Sequence, residues 1–91
     1  MKKALIFGVT GQDGSYLAEF LIAKGYQVHG LVRKSATGNL RNIQHLIDDI
    51  EIHEKKFFIH RGDLLDVTSL YRVISGVNPD EIYNEADQDH V

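Results

Sequence analysis

The chain has 91 residues, of which 43% are apolar and 25% charged, with 8 Gly, 1 Pro and no Cys. This length fits one small domain or part of a larger one, and the composition is that of a globular protein, which excludes a disordered or collagen-like chain. The lack of cysteine excludes a disulfide scaffold, a thiolate zinc site and a cysteine nucleophile.

The net charge of -3 is unevenly distributed along the chain. Residues 1–45 carry six Lys/Arg and two Asp/Glu, whereas residues 46–91 carry four and eleven. The acidic balance argues against a nucleic-acid partner, while the basic first half could receive an anion. No apolar stretch approaches the roughly 18 residues of a membrane span, and the run after Lys2 and Lys3 is too short for a secretory signal. We therefore expect a cytoplasmic protein that binds neither nucleic acid nor a membrane.

The hydrophobic pattern alternates between short apolar runs and helical spacing. The runs predict strands at residues 4–7, 27–32 and 81–84, and between the last two a strand of Phe57, Phe58 and Ile59 that ends at His60 and Arg61. A first helix is predicted at 15–24, with Gly25 at its C-cap, and a third after Asp66 as N-cap. The second helix is predicted from Leu40, Ile43, Leu46, Ile47 and Ile50, and the third helix should present one face made of Val67, Leu70, Tyr71, Ile74 and Val77. Such alternation requires right-handed crossovers, so it predicts an α/β fold with a parallel sheet covered on both faces.

A glycine-rich segment, GVTGQDG, joins the first strand to the first helix. Its glycines, Gly8, Gly11 and Gly14, are spaced three apart. Free amide groups at the helix start can hold a pyrophosphate, and glycines allow the tight turn, the approach of the phosphates and close helix–strand packing. A purely structural turn is the alternative, but the position within a βαβ unit favours nucleotide binding. The predicted fold is therefore a Rossmann-like, NAD(P)-binding sheet.

The end of the second strand indicates which dinucleotide is bound. An acidic residue there would favour NAD, but none occurs from Tyr26 to Leu40. Arg33, Lys34 and Ser35 instead supply two cations and a hydroxyl that suit a 2′-phosphate, which favours NADP. A solvated basic turn is the alternative interpretation.

Residues after the third and fourth strands should face the same crevice. Asp63 could accept a hydrogen bond from the adenine amino group and Leu64 could pack on the ring, although Asp63 could also be only a turn residue after Gly62. Three carboxylates and His90 within residues 85–90 could suggest a cation site, but a solvated acidic loop is favoured. The five histidines form no metal-binding motif and are interpreted as surface or strand residues, and no Tyr is followed four residues later by Lys.

Residues 4–35, above all GQDGSYLAEFL, resemble the opening of the GDP-mannose 4,6-dehydratase family of the extended short-chain dehydrogenase/reductase superfamily. RNIQHL at 41–46, GDL at 62–64 and EIYN at 81–84 resemble the same family in order, so the likeness covers essentially the whole chain. The chain ends directly after the fourth predicted strand, without a helix to cover it. We therefore expect residues 1–91 to be the incomplete N-terminal part of a dinucleotide-binding domain, with no second domain.

The resemblance implies a set of cofactor-binding residues. The pyrophosphate would be lined by Gly8, Thr10, Gly11, Gln12, Asp13 and Gly14. The ribose phosphate would be held by Arg33, with Lys34 and Ser35, and the adenine by Asp63 and Leu64. Ala86 and Gln88, after the fourth strand, complete the expected set.

The resemblance also implies an activity. A family member is a lyase that oxidises the hexose of GDP-mannose at C4 with NADP, removes water across C5 and C6, and returns the hydride to C6. The Tyr and Lys pair, the Ser or Thr, and the Glu that act in this reaction would lie beyond residue 91, as would the nucleotide-sugar pocket. We therefore expect no catalytic residue in this chain, no activity from it alone, and a homo-oligomeric parent protein.

The last residues depart from the family pattern. NEADQDHV at 84–91 replaces approximately NLGAQSHV, so Glu85, Asp87 and Asp89 add negative charge near the expected dinucleotide, and Phe7 stands where Thr is usual. Three alternatives stay open: a divergent sugar-nucleotide dehydratase or epimerase, a non-catalytic NADP-binding or sensing module, and a flavodoxin-type regulatory domain. The third is disfavoured because no acidic cluster follows the first strand.

Overall fold

A computed structural model of the chain describes residues 1–33 and 40–86. Its four strands, β1 (Lys3–Phe7), β2 (Gln27–Val32), β3 (Phe57–Arg61) and β4 (Glu81–Asn84), form one parallel sheet in the order β3-β2-β1-β4. Three helices alternate with them: α1 (Gln12–Ala23), α2 (Gln44–Asp48) and α3 (Val67–Val77). β3 ends at Arg61, where its end is predicted, and it pairs with β2 as far as Val32.

The central strand β1 is buried on both sides, which explains its uninterrupted apolar sequence. Ala4 and Ile6 belong to the larger core cluster, together with residues of α1 and α2. Leu5 belongs to a second cluster, in which Val73 and Val77 of α3 pack. The helices thus cover both faces of the sheet, and the predicted fold class is confirmed.

Helix α1 begins three residues earlier than predicted. Gly11 is its N-cap, and the Ser15 amide donates to the Gly11 carbonyl at 2.9 Å, so the helix starts directly after the glycine segment. Ala18 and Leu21 are buried, as the spacing predicts. The helix ends at Ala23 with Lys24 as its C-cap, and Gly25 follows with φ +94°, a conformation that suits glycine after a helix end.

The predicted second helix is wrong in its length. A 3-10 turn, Arg41–Ile43, precedes a helix of only five residues, and Ile50 lies outside it with 79% of its surface exposed. Asp49 has an extended conformation, and its side chain accepts a hydrogen bond from the Glu51 amide at 2.9 Å. This local bond replaces the next helical hydrogen bond, so the apolar period continues in sequence after the helix has ended.

The N-cap predicted for α3 is confirmed, but its buried face is partly wrong. Asp66 Oδ1 accepts from the amides of Thr68 and Ser69 at 3.1 and 3.3 Å. Ser69, Val73 and Val77 form the buried face, and Leu70 and Ile74 pack beside it. Val67 and Tyr71, predicted to share this face, are 78% and 73% exposed. Apolar spacing alone sets the face incorrectly here, because the small polar Ser69 is one of its buried residues.

Candidate functional site

The carboxyl ends of the strands meet at one edge of the sheet, where the chain leaves each strand in a loop. The Glu85 amide donates to the Phe7 carbonyl at 2.8 Å, which ties the loop after β4 to the end of β1. The Gly62 amide donates to the Val32 carbonyl at 3.0 Å, which ties the loop after β3 to the end of β2. The segments predicted to bind a dinucleotide therefore lie along a single edge, where ligands of open α/β sheets bind.

Two glycines of the GVTGQDG segment are required by the backbone geometry. Gly8 has φ +81°, and a Cβ on it would lie 2.6 Å from the Ala86 amide nitrogen. A Cβ on Gly14 would lie 2.1 Å from the Gly8 carbonyl oxygen. Gly11, in contrast, has φ -75° and ψ 169°, which any residue can adopt. The local fold therefore requires glycine at residues 8 and 14, whereas the backbone angles of residue 11 alone do not require it.

The start of α1 offers hydrogen-bond donors at this edge. Within the described ranges, the amides of Gln12, Asp13 and Gly14 donate no hydrogen bond, as is usual for the first turn of a helix. Gln12 and Asp13 are exposed, and Gly14 is buried. The Thr10 carbonyl accepts from the Asn42 side-chain amide at 2.8 Å. Donors and the positive end of the helix dipole can attract an anion here, whereas the Asp13 carboxylate opposes it.

The end of β2 carries the cation predicted to bind a ribose phosphate. Arg33 is exposed, and its carbonyl accepts from Arg61 Nη1 at 3.5 Å. Lys34 and Ser35 lie outside the described residues. Arg33 follows β2, and Arg61 is the last residue of the neighbouring strand β3. Two arginines therefore lie at this edge of the sheet and make its electrostatic potential more positive.

The loop after β3 holds Asp63 in a side-chain turn. Asp63 is exposed, and its Oδ1 accepts from the Leu65 amide at 3.0 Å. Leu64 packs against the α3 core cluster. The turn role considered for Asp63 is thus present, and it leaves the second carboxylate oxygen without a partner among the described residues.

The loop after β4 borders the glycine segment. The Ala86 amide donates to Asn84 Oδ1 at 3.1 Å, and Ala86 packs against the α3 cluster. Glu85 is half-buried. Gln88, Asp87, Asp89 and His90 lie outside the described residues.

The family model of GDP-mannose 4,6 dehydratase matches residues 5–91. The chain belongs to this family. It is 55% identical over 91 residues to GDP-mannose 4,6-dehydratase of Yersinia enterocolitica, covering 100% of this chain and 24% of that protein. It is 54% identical over 89 residues to the human GDP-mannose 4,6 dehydratase, covering 97% of this chain and 24% of that protein.

The chain therefore spans about a quarter of the length of the curated dehydratases it matches. Its fold is similar to the crystal structure of the Bordetella bronchiseptica enzyme WbmH in complex with NAD+, with a TM-score of 0.73 and 29% identity. That similarity covers 94% of this chain and 26% of WbmH. The family resemblance read from the sequence and the Rossmann-like fold are both confirmed.

Three residues near the site of this family member were missed by the sequence analysis. Asn42 contacts the glycine segment, Arg61 contacts Arg33, and Ser69 contacts the Asp63 amide at 3.3 Å. Arg61 is opposite Val32 in the β2–β3 register, so the strand order would have placed it. Asn42 and Ser69 carry no signal in the sequence, because their contacts depend on how the helices pack.

Three titratable groups with shifted pKa values, Glu81, Tyr83 and Tyr26, lie away from the glycine segment. Hydrogen bonds from the Tyr83 and Tyr26 hydroxyls, at 2.7 and 3.1 Å, lower the pKa of Glu81. The hydrogen bond to Glu81 raises the pKa of Tyr83. Burial, followed by the hydrogen bond to Glu81, raises the pKa of Tyr26. Glu81 begins β4, so this cluster lies at the end of the strands opposite the glycine segment, and its role is structural.

His29 is a strand residue, as the sequence analysis expected, but it is not isolated. Its Nδ1 lies 2.8 Å from Nε2 of His60, and its Nε2 lies 2.8 Å from Oε1 of Gln27. Burial, then the charges of His60 and Lys3, lowers the pKa of His29 to about 4. Burial also lowers the pKa of His60. Both rings are therefore neutral at pH 7.

The described ranges contain no group of three His, Asp or Glu side chains that could hold a metal ion. None of the helices in residues 1–33 and 40–86 has the length and apolar character needed to cross a membrane.

Proposed function

We propose that residues 1–91 form the cofactor-binding N-terminal part of an NADP-dependent GDP-mannose 4,6-dehydratase, a cytoplasmic, homo-oligomeric lyase that converts GDP-mannose to GDP-4-keto-6-deoxymannose. One observation carries the proposal. The glycine segment, the free amides of α1 and Arg33 lie at one edge of the sheet, in a chain 55% identical over its whole length to a dehydratase of that name.

Each part of the dinucleotide has a proposed partner in this chain. The amides of Gln12 and Asp13, with the glycine segment and Thr10, hold the pyrophosphate. Arg33, with Lys34 and Ser35, neutralises the 2′-phosphate of NADP. Asp63 and Leu64 hold the adenine, and the chain at Ala86 and Gln88 borders the nicotinamide half.

NADP, when bound, supplies the acceptor and later the donor of a hydride. The residues of this chain bind and orient it: the donors at α1 fix the phosphates, and the guanidinium at the end of β2 selects the phosphorylated ribose. The groups that move protons on the sugar belong to the part of the protein beyond residue 91. We therefore propose that the 91-residue chain is inactive by itself.

A divergent nucleotide-sugar dehydratase or epimerase is the second candidate. Glu85 favours it, because this carboxylate follows β4 beside the close contact of Gly8 with Ala86, where the family pattern has an apolar residue. A negative charge at this position would change the environment of the nicotinamide end.

The test is to incubate the protein at its natural length with NADP and GDP-mannose, and in parallel with other GDP-, UDP- and dTDP-hexoses, and to follow products by mass spectrometry. Loss of one water from GDP-mannose alone is the expected result. Turnover of a different nucleotide sugar supports the second candidate, and absence of any NADP-dependent product contradicts both. The 91-residue chain is the control that should give no product, and sedimentation of the natural-length protein tests the homo-oligomer.

A further inference from the structure

The loop between β3 and α3 is anchored at two consecutive residues. The Gly62 amide donates to the Val32 carbonyl of the sheet at 3.0 Å. The next amide, that of Asp63, donates to the side-chain oxygen of Ser69 on α3 at 3.3 Å. Ser69 is only 7% exposed, and its own amide is held by Asp66 at the helix cap. The peptide that carries Asp63 is therefore fixed between the sheet and a capped helix.

The lack of a side chain at residue 62 makes this arrangement possible. A Cβ on Gly62 would lie 2.5 Å from Ser69 Oγ and 3.1 Å from Leu31 Cδ1. The Ser69 hydroxyl thus occupies space that any other residue at 62 would need. Since Oδ1 of Asp63 accepts from the Leu65 amide, the carboxylate is also held at one of its two oxygens.

We propose that Ser69 is a positioning residue for base recognition, which holds the Asp63 peptide so that the second carboxylate oxygen of Asp63 accepts a hydrogen bond from the exocyclic amino group of adenine. This inference rests on the proposed NADP binding. A hydrogen bond to a charged group loses strength steeply when its geometry is poor, so a fixed Asp63 distinguishes an amino group from a carbonyl better than a mobile one. Ser69 contributes without touching the dinucleotide itself.

The test compares NADP with nicotinamide hypoxanthine dinucleotide phosphate, in which a carbonyl replaces the adenine amino group. Dissociation constants are measured by calorimetry on the natural-length protein. The wild type should prefer NADP by roughly tenfold or more, the range of a hydrogen bond to a charged group. Asp63→Ala should abolish the preference, and Ser69→Ala should reduce it below about threefold. Ser69→Thr, which keeps the hydroxyl, should restore it.

Ser75→Ala, a matched change at an exposed serine of α3, should leave the preference at the wild-type value. Ser69→Cys keeps the shape of the side chain but offers a weaker hydrogen-bond acceptor, so its preference for NADP should be intermediate. It replaces Ser69→Ala if that variant does not fold. If Ser69→Ala and Ser69→Cys keep the wild-type preference, or weaken both dinucleotides equally, Ser69 is only structural and the inference is overturned. If the wild-type protein binds NADP and the hypoxanthine dinucleotide equally well, the inference is overturned but the proposed function is not. If it binds neither dinucleotide, the proposed function is overturned.

Discussion

The side-chain amide of Asn42 donates a hydrogen bond to the Thr10 carbonyl at 2.8 Å, and so joins the 3-10 turn before α2 to the glycine segment. The bond fixes a peptide that directly precedes the helix cap Gly11. The conformation of the segment proposed to hold the pyrophosphate therefore depends on a residue that follows β2 in the sequence.

Asn42→Ala should weaken NADP binding of the natural-length protein by about three- to tenfold, since an exposed hydrogen bond contributes roughly 0.5 to 1.5 kcal/mol. Asn42→Asp should behave alike, because a carboxylate cannot donate to a carbonyl. Calorimetric titration measures the effect. Gln44→Ala is the control: it removes a similar exposed bond, to Asp48 at 3.0 Å, that does not reach the glycine segment. Equal losses in both variants would contradict a local role for Asn42.

Arg33→Ala should weaken binding of NADP by about 1.5 to 3 kcal/mol and leave NAD binding nearly unchanged, because a contact to the 2′-phosphate is lost. Arg33→Asp should reverse the preference, since a carboxylate can accept from the free 2′-hydroxyl of NAD. Affinities for both dinucleotides are measured side by side. Arg72→Ala, at an exposed cation of α3, controls for the change in net charge. An unchanged NADP preference in both Arg33 variants would remove Arg33 from the site.

Gly11→Val should abolish dinucleotide binding and leave the far-ultraviolet circular dichroism spectrum near that of the wild type. The backbone angles of residue 11 suit any residue, so we expect the branched side chain to act chiefly against a ligand at the start of α1. Gly8→Ala is the contrasting variant, since its Cβ would meet the Ala86 backbone at 2.6 Å and φ is +81°. It should lower the free energy of unfolding as well as binding. Retained binding in Gly11→Val would show that the segment serves only the turn.

Glu85→Gln should tighten NADP binding two- to fivefold at low salt, because a half-buried carboxylate beside the glycine segment repels an anionic dinucleotide. The gain should shrink as salt is raised, since ions screen the repulsion. Titrations at several salt concentrations measure it. Glu51→Gln, in the connection that precedes β3 at the other end of the strands, should have no effect. A gain of the same size at both positions would mean that only net charge matters.

The free energy of unfolding should fall as the pH is lowered from 6.5 to about 4. An unfolded histidine takes up a proton near pH 6.5, whereas folded His29 stays neutral until its pKa of about 4, so the unfolded state binds more protons in this interval. The free energy of unfolding should fall by about 1 to 2 kcal/mol. This is less than for a site that water does not reach, because the neighbouring His60 is only half-buried.

Urea unfolding at several pH values measures this dependence, and His29→Gln should flatten it. If the stability of His29→Gln falls equally steeply with pH, the pH dependence belongs to other groups, such as the carboxylates. Protonation of carboxylates would continue to lower the stability below pH 4.

The sequence predicted the features that depend on local pattern. The apolar run of β1 is buried on both sides, Asp66 caps α3, and Gly25 follows the end of α1. These features rest on burial, capping and backbone angles of neighbouring residues, so short windows of sequence contain them.

Features that depend on competition or on distant packing were not predicted. At Asp49 a side-chain bond outweighs the helical period, and on α3 the orientation is set by the fit of Ser69 under Gly62 rather than by the apolar residues Val67 and Tyr71. At the site, the sequence predicted that the glycine segment after β1 and Arg33 after β2 bind the cofactor. The contact of Arg33 with Arg61 requires the pairing of β2 with β3, which no local window shows.

The close approach of Gly8 to Ala86 means that the glycine segment acquires its shape only when the two ends of the described chain have come together. Contacts so far apart in sequence form late, after the entropy of closing the intervening chain has been lost. A ligand that recognises the finished segment binds the folded state alone and stabilises it in proportion to RT ln(1 + [L]/Kd). Dinucleotide binding and docking of β4 on β1 are then thermodynamically coupled, so the thermal midpoint of the sheet should rise with dinucleotide concentration.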